Sequence, residues 1–231
     1  MLDDAQETKN PSLLLVAAHP LEFKEIRKKL RLKRLLTIGN PLPTFFENVS
    51  IELVLTGLGE KAVRSSLVPL FSTPRNLPQL VLNFGFAGAL HSQMKLGDWI
   101  LADEVKSFNA NSKPLNLRDT LSFKAASEFF SSSNYPYHQG ALVTAEKPVT
   151  DRGHKKLAIT KAIAVDMEAY PILEIATGFK VPVLCFKIVS DYADDAAEKT
   201  LKSIGNSLSL DMANVLFDFL TFLIESKRAF Q

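Results

Sequence analysis

The sequence predicts an α/β fold in three layers, α/β/α, around a central mixed β-sheet. Two observations carry this. Apolar runs of buried-strand length alternate with segments whose apolar residues recur at three- and four-residue steps, the pattern of a sheet covered on both faces. No Pro/Gly/Ser-rich linker, internal repeat or low-complexity block divides the 231 residues, so they form one domain, within the roughly 250 residues that single α/β domains reach. Residues 1–11 read as a disordered tail ended by Pro11, and residues 12–231 as the domain.

Residues 13–18 (LLLVAA) are apolar throughout, as in a strand buried on both faces. Residues 21–36 carry Phe23, Ile26 and Leu30 at helical spacing, with Lys and Arg between them. Residues 40–43 (NPLP) are a turn, and 44–57 a hairpin or two adjacent strands. Residues 58–71 are helical, with Ala62, Val63, Leu67 and Leu70 on one side. Residues 77–84 (LPQLVLNF) form a strand that ends in the small-residue turn Gly85-Phe86-Ala87-Gly88.

Residues 97–105 make the next strand, 106–120 a polar loop, and 120–130 a helix stopped by Ser131-Ser132-Ser133-Asn134. Residues 140–144 are a strand, followed by a turn at Glu146-Lys147-Pro148. Residues 162–165 are a short strand and 166–178 a helix whose Gly178 suits the left-handed position beyond a helix end. Residues 181–189 (VPVLCFKIV) are a long buried strand opening into Ser190-Asp191. The last segment, 196–229, is one helix with Leu208, Met212, Val215, Phe219 and Phe222/Leu223 along its apolar stripe.

Composition narrows the function classes. With 46% hydrophobic and 23% charged residues the chain is globular and not disordered. Lys and Arg exceed Asp and Glu by 27 to 25, which gives no electrostatic reason to expect nucleic acid or an anionic membrane as partner. A single cysteine, Cys185, excludes an intrachain disulfide and a Cys-based zinc site. The four histidines, His19, His91, His138 and His154, have no metal-ligand spacing. Residues 1–10 are polar and acidic where a signal peptide is basic and then apolar. The apolar run 215–224 contains Asp218 and falls short of the ~20 residues of a spanning helix. A core helix and a cytoplasmic location are expected.

In α/β folds ligands sit beyond the C-terminal ends of strands. Three carboxylates lie there. Glu22 follows the first strand after Ala18-His19-Pro20, Glu168 stands between a strand and a helix after Asp166-Met167, and Asp191 ends the most apolar strand. One such acid is most often a helix cap or a solvated charge. Three at one predicted edge point to a polar pocket.

Two segments, 164–170 (AVDMEAY) and 181–194 (VPVLCFKIVSDYAD), at this spacing resemble the nucleoside phosphorylase/nucleosidase superfamily. The branch they are most similar to holds the 5′-methylthioadenosine/S-adenosylhomocysteine nucleosidases and the futalosine-type hydrolases. Residues 82–90 (LNFGFAGAL) with 95–98 (KLGD), and 57–62 (GLGEKA), match further family blocks in the family's order. Ala18-His19-Pro20-Leu21-Glu22 falls where the family's first catalytic glutamate sits.

The resemblance implies cleavage of the bond between ribose C1′ and a purine, with no metal or redox cofactor. Asp191, in apolar surroundings that favour the protonated acid, would protonate N7 of the leaving base, and Ser190 would orient it. An anionic Glu168 would hold the ribose hydroxyls and stabilise the cation-like sugar. Glu22 would activate water. Met167 would pack on the ribose or base, and backbone at Pro148 and Val149 would grip the purine edge. Phe86, Ala87 and Lys187 complete the expected substrate contacts. Plainer readings stand beside these: Met167 as core filling, Lys187 as a strand-edge charge, Cys185 as inert packing, Tyr192 as a pocket wall or a dimer contact.

Within this superfamily phosphorylases resemble one another in a Gly-Asp-x-x-Arg loop after the first strand and a hydroxyl in the second glycine block. This chain has His19-Pro20-Leu21-Glu22 and Phe86 at those places, which favours water over phosphate as nucleophile. Residues 106–121 (KSFNANSKPLNLRDTL) lack the His-Asp-x-Asp-x-x-x-Phe-Gly-Tyr run of the methylthioadenosine nucleosidases. The adenine end of the substrate is therefore expected and the 5′ group is open. The reading favours 6-amino-6-deoxyfutalosine of menaquinone biosynthesis, whose benzoate would meet Phe86, Lys187 or loop 106–120. Methylthioadenosine or S-adenosylhomocysteine is the alternative. A purine nucleoside phosphorylase and a non-catalytic nucleoside-binding relative rank below. The resemblance also implies a homodimer whose partner loops complete the 5′ pocket.

Overall fold

A computed structural model describes residues 12–31, 44–73, 77–109, 111–151, 153 and 157–226. The expected tail at 1–11, the turn at 40–43 and the last helix beyond residue 226 lie outside them, while the first helix, expected to reach Leu36, ends at Lys29, with Leu30 as its C-cap and Arg31 at φ +53°. The described elements run β1 (Ser12–Ala17), α1 (Pro20–Lys29), β2 (Thr44–Phe46), β3 (Val49–Leu55), α2 (Glu60–Ser72), β4 (Leu80–Ala89), β5 (Trp99–Ser107), β6 (Leu115–Asn116), α3 (Leu121–Ser132), β7 (Tyr137–Thr144), β8 (Ala164–Asp166), α4 (Ala169–Gly178), β9 (Val183–Asp191) and α5 (Ala197–Ser226), with a 3-10 turn at Ala158–Thr160.

The fold is α/β with a mixed central sheet between two helical layers. One layer holds α1 and α3 packed on α5, and the other pairs α2 with α4. The sheet order is β2-β3-β1-β4-β8-β7-β5-β6, and β9 bridges β4 and β5. The circuit β4–β8–β7–β5–β9 therefore closes on itself, a feature that alternation of strands and helices does not reveal.

Uninterrupted apolar sequence marks β1 as buried on both faces, whereas β8 and β9 are buried although they carry Asp166 and Lys187. Residues 13–17 are at most 1% exposed, because helices cover both sides of β1. The core centres on aromatic residues where α5 and α3 meet β9. Phe186 lies 5.6 Å from Phe219, 5.6 Å from Phe130 and 5.7 Å from Trp99, ring centre to ring centre. The tilted and edge-on arrangements are those the ring quadrupoles prefer. By length and composition α5 could cross a membrane. Its apolar stripe instead packs into this core, with Met212, Val215, Leu216 and Phe219 fully buried.

Three further expectations are corrected. Gly85-Phe86-Ala87-Gly88 is no turn but the last part of β4, which continues to Ala89. Its small residues reflect close approach by other side chains, described below. The polar stretch 106–120 is not all loop, since β5 runs to Ser107 and β6 pairs back on Glu104 and Val105. Gly178 is a residue of α4 and does not take the left-handed position, which belongs to Lys180 (φ +59°). There Val181 N donates to Ala176 O and Lys180 N to Thr177 O, a Schellman closure set two residues later.

Phe186→Ala removes the ring on which three core aromatics converge and leaves a cavity in a rigid neighbourhood. It is expected to cost about 3–5 kcal/mol, read as a lower denaturation midpoint in urea.

Candidate active site

The site forms around the C-terminal half of β4, where two glycines let carboxylates approach the strand. Glu22 is in the first turn of α1. Its Oε2 accepts Ala18 N and His19 N, each at 2.8 Å, and its Oε1 accepts Phe86 N at 2.7 Å. His19 caps the helix in return, its Nδ1 accepting Leu21 N. Both the capping and the chemical reading of Glu22 thus have a basis, since three donors fix the carboxylate and one Oε1 lone pair stays open. A Cβ on Gly85 would overlap this carboxylate, and Gly85 sits at φ +149°, which favours glycine.

Asp191 approaches three residues further along the strand, roughly 10 Å at strand spacing. Ala87 pairs with Val189 and Gly88 with Asp191, so Ser190 is an extra residue on β9. Such a bulge re-aims the side chain that follows it. Asp191 Oδ2 accepts Ser190 Oγ at 2.6 Å and Oδ1 accepts Ala193 N at 2.8 Å. A Cβ on Gly88 would stand 2.8 Å from Asp191 Oδ1. Ser190 also reaches Ala87 O at 3.4 Å, which ties the bulge to β4.

Glu168 lies in the bend between β8 and α4. It stands at the N-cap of α4 but makes no capping bond. Asp166 Oδ2 accepts Ala169 N instead, and Glu168 Oε1 reaches across to Gly59 N at the start of α2, at 2.7 Å. Glu168 is 7% exposed. Burial, then the neighbouring Asp166 and Glu22 charges, push its pKa up to about 7, against the pull of Lys187 and the Gly59 N–H.

Lys187 is no strand-edge charge. It is in the middle of β9, opposite Gly85 on β4 and Ile100 on β5. Its Nζ lies 2.9 Å from Asp166 Oδ2, and both side chains are at most 3% exposed. Burial works against its ammonium, but Asp166, Cys185, Glu22 and Glu168 outweigh that and hold its pKa above the ordinary lysine value. Cys185 is fully buried, and burial pushes its thiol up to about 12, so it offers no thiolate nucleophile at neutral pH.

Glu22, Glu168, Lys187 and the Phe86 backbone thus meet in one cluster, and Asp191, Ser190 and Ala87 follow along β4. The Phe86 ring stands 6.3 Å from the His19 ring. Met167 is half-buried and belongs to neither apolar cluster. Pro148 and Val149 line a cleft of about 610 Å³ with Phe108, Asn109 and Leu157. Val149 and Leu157 pack in the same apolar cluster as Ala193, so the cleft adjoins the Asp191 end. Sequence reasoning assigned no role to Gly59, Asp166 or Thr144. Asp166 stood inside the quoted motif and Gly59 at a strand end, but nothing in the sequence marked Thr144, whose Oγ1 donates to Asp166 Oδ1 at 2.7 Å.

The model of the phosphorylase superfamily matches residues 14–220. A 5′-methylthioadenosine/S-adenosylhomocysteine nucleosidase of Buchnera aphidicola subsp. Schizaphis graminum is 28% identical over 200 residues, 76% of this chain and 80% of that protein. Among solved structures, the Streptococcus pneumoniae MTA/SAH nucleosidase in complex with 8-aminoadenine superposes with a TM-score of 0.79 at 21% identity, covering 92% of this chain and 100% of that one. The futalosine hydrolase of Helicobacter pylori superposes with a TM-score of 0.77 at 19% identity, covering 92% and 98%.

Gly85→Ala forces a Cβ against Glu22 at a φ that L residues avoid. A loss of roughly 2–3 kcal/mol is expected, with loss of activity, read by thermal unfolding and turnover. The raised Glu168 pKa makes folding favour the protonated acid. That contribution is whole below about pH 4.5 and is lost as pH rises through about 7. Melting temperature of the ligand-free protein should therefore fall between those values, by a free energy on the order of 3 kcal/mol. Glu168→Gln should flatten this fall.

Proposed function

The chain belongs to the phosphorylase superfamily, and from that premise we propose that it hydrolyses the N-glycosidic bond of a 5′-modified adenine nucleoside, with 6-amino-6-deoxyfutalosine as the preferred substrate. It is an enzyme, a hydrolase of N-glycosyl compounds, with a small nucleoside as substrate.

One observation carries the choice of water over phosphate. The backbone N–H groups of Ala18, His19 and Phe86 form an anion cradle at the start of α1, and Glu22 already fills it. A phosphate dianion there would meet a carboxylate in place of donors. Phe86 adds no hydroxyl. The open lone pair on Glu22 Oε1 suits a base that takes a proton from water.

The remaining groups supply the other demands of the reaction. Asp191, steadied by Ser190 Oγ and Ala193 N, delivers a proton to N7 so that the base leaves neutral. Glu168 takes the ribose hydroxyls and, once ionised, stabilises the developing sugar cation. Its pKa near 7 in the ligand-free site implies that kcat/KM rises with pH through that region. The cleft at Pro148 and Val149 receives the purine, with Phe108 and Asn109 on the same lining. Met167, half-exposed beside Glu168, packs on the ribose.

The futalosine preference rests on the divergent stretch 106–121 and on Phe86. Lys187 is withdrawn as a contact for the 5′ carboxylate, because its ammonium is buried against Asp166. Methylthioadenosine or S-adenosylhomocysteine is the second reading, favoured by the names of the sequence relatives. We also propose a homodimer, with partner loops closing the 5′ end of the site.

Adenine release measured in parallel on 6-amino-6-deoxyfutalosine, methylthioadenosine and S-adenosylhomocysteine, with and without phosphate, tests this reading. Fastest release from the first, with free sugar and no ribose 1-phosphate, is expected. Formation of the phosphorylated sugar would overturn the hydrolase assignment. Asp191→Asn should lower kcat about 10²–10⁴-fold, and near-normal turnover would remove Asp191 from the acid role.

A further inference from the structure

Four ionisable side chains meet beside β4, and their hydrogen-bond donors are unequally shared. Glu22 accepts three backbone N–H groups. Asp166 accepts Thr144 Oγ1 and Ala169 N and pairs with Lys187. Glu168 accepts one N–H group, from Gly59, among the described residues. Thr144 Oγ1 is oriented toward Asp166 because it accepts Tyr170 N at 2.9 Å. Two donors that Glu168 could have engaged are taken by others: the Tyr170 N–H in the first turn of its own helix by Thr144, and the ammonium of Lys187 by Asp166.

We propose that Asp166 is a positioning residue: by holding Lys187 and capping α4 it keeps the Glu168 carboxyl unbridged and open to the ribose hydroxyls. This rests on the reading of Glu168 given above. The physical alternative is plain. Lys187 stands opposite Gly85, within the field of both Glu22 and Glu168. Without Asp166 the lysine would pair with one of them. A buried ion pair to Glu168 would have to be broken before ribose could bind, and breaking buried pairs is costly. Glu22 already accepts three backbone N–H groups and Glu168 only one, so Glu168 is the carboxylate with more to gain from Lys187.

Asp166 also sets where the cluster carries its proton. The charged groups acting on Glu168 are Asp166, Lys187 and Glu22. Glu168 has the fewest donors of the three acids to stabilise an anion, and burial with the neighbouring carboxylates favours its protonated form. Neutralising Asp166 removes one repulsive charge and frees a positive one, and both changes favour ionised Glu168.

Asp166→Asn, Asp166→Glu and Thr144→Val are compared with wild type by the pH profile of kcat/KM and by melting temperature between about pH 5.5 and 8. In Asp166→Asn the acid limb is expected to move about one pH unit or more toward acid, with KM raised roughly tenfold and kcat within about threefold. The fall of melting temperature with pH should flatten. Asp166→Glu should restore both. Thr144→Val removes one hydroxyl and weakens Asp166 as an anion, so it should shift both readouts in the same direction by less, and it serves if Asp166→Asn does not fold. A limb and a melting profile left at their wild-type positions in the folded variants would overturn the proposal. If wild type releases adenine from no nucleoside, the function reading fails, while the melting profiles still decide the role of Asp166.

Discussion

Three backbone N–H groups closing on the Glu22 carboxylate are the interaction on which the site depends. They join the end of β1, the start of α1 and the middle of β4 through one side chain. Charge-assisted bonds of this kind are shorter and stronger than neutral ones, and here they fix both an element junction and a chemical group. Gly85 follows from the same constraint, because no side chain fits where the carboxylate lies. So does the continuation of β4 past its apolar half, since Phe86 must present its N–H to Glu22.

The other acids divide the remaining work by the donors each receives. Asp166 is held by a hydroxyl, a helix N-terminus and a lysine, and serves as the anion of the pair. Glu168, held by one N–H, is the group whose charge state responds to pH. Asp191 stands apart at the bulge, on the side of the cleft of Pro148 and Val149.

Most of the architecture was legible because burial writes itself into composition. The strand at 13–18, the helix after Thr120 and the aromatic stripe of the last helix all stand where apolar periodicity places them. What escaped depended on contacts distant in sequence. Gly85-Phe86-Ala87-Gly88 has the composition of a turn, yet its small residues answer to Glu22 and Asp191 rather than to backbone reversal. Gly178 resembles a helix stop, but Lys180 adopts the left-handed conformation, a cost that the Val181 and Lys180 hydrogen bonds offset. The three acids could be picked out as strand-end residues. The partner of Lys187 could not, since a buried lysine and an exposed one look alike in sequence.

The closed circuit of β4, β8, β7, β5 and β9 governs how the molecule can come apart. A strand inside a ring cannot be peeled from a margin; the ring must rupture somewhere first. Its shortest seam is the two-residue pairing of β4 with β8, directly between the Gly88 backbone under Asp191 and the stem that carries Glu168. A break at that seam would part the backbone under Asp191 from the stem of Glu168 while every longer pairing of the circuit was still closed.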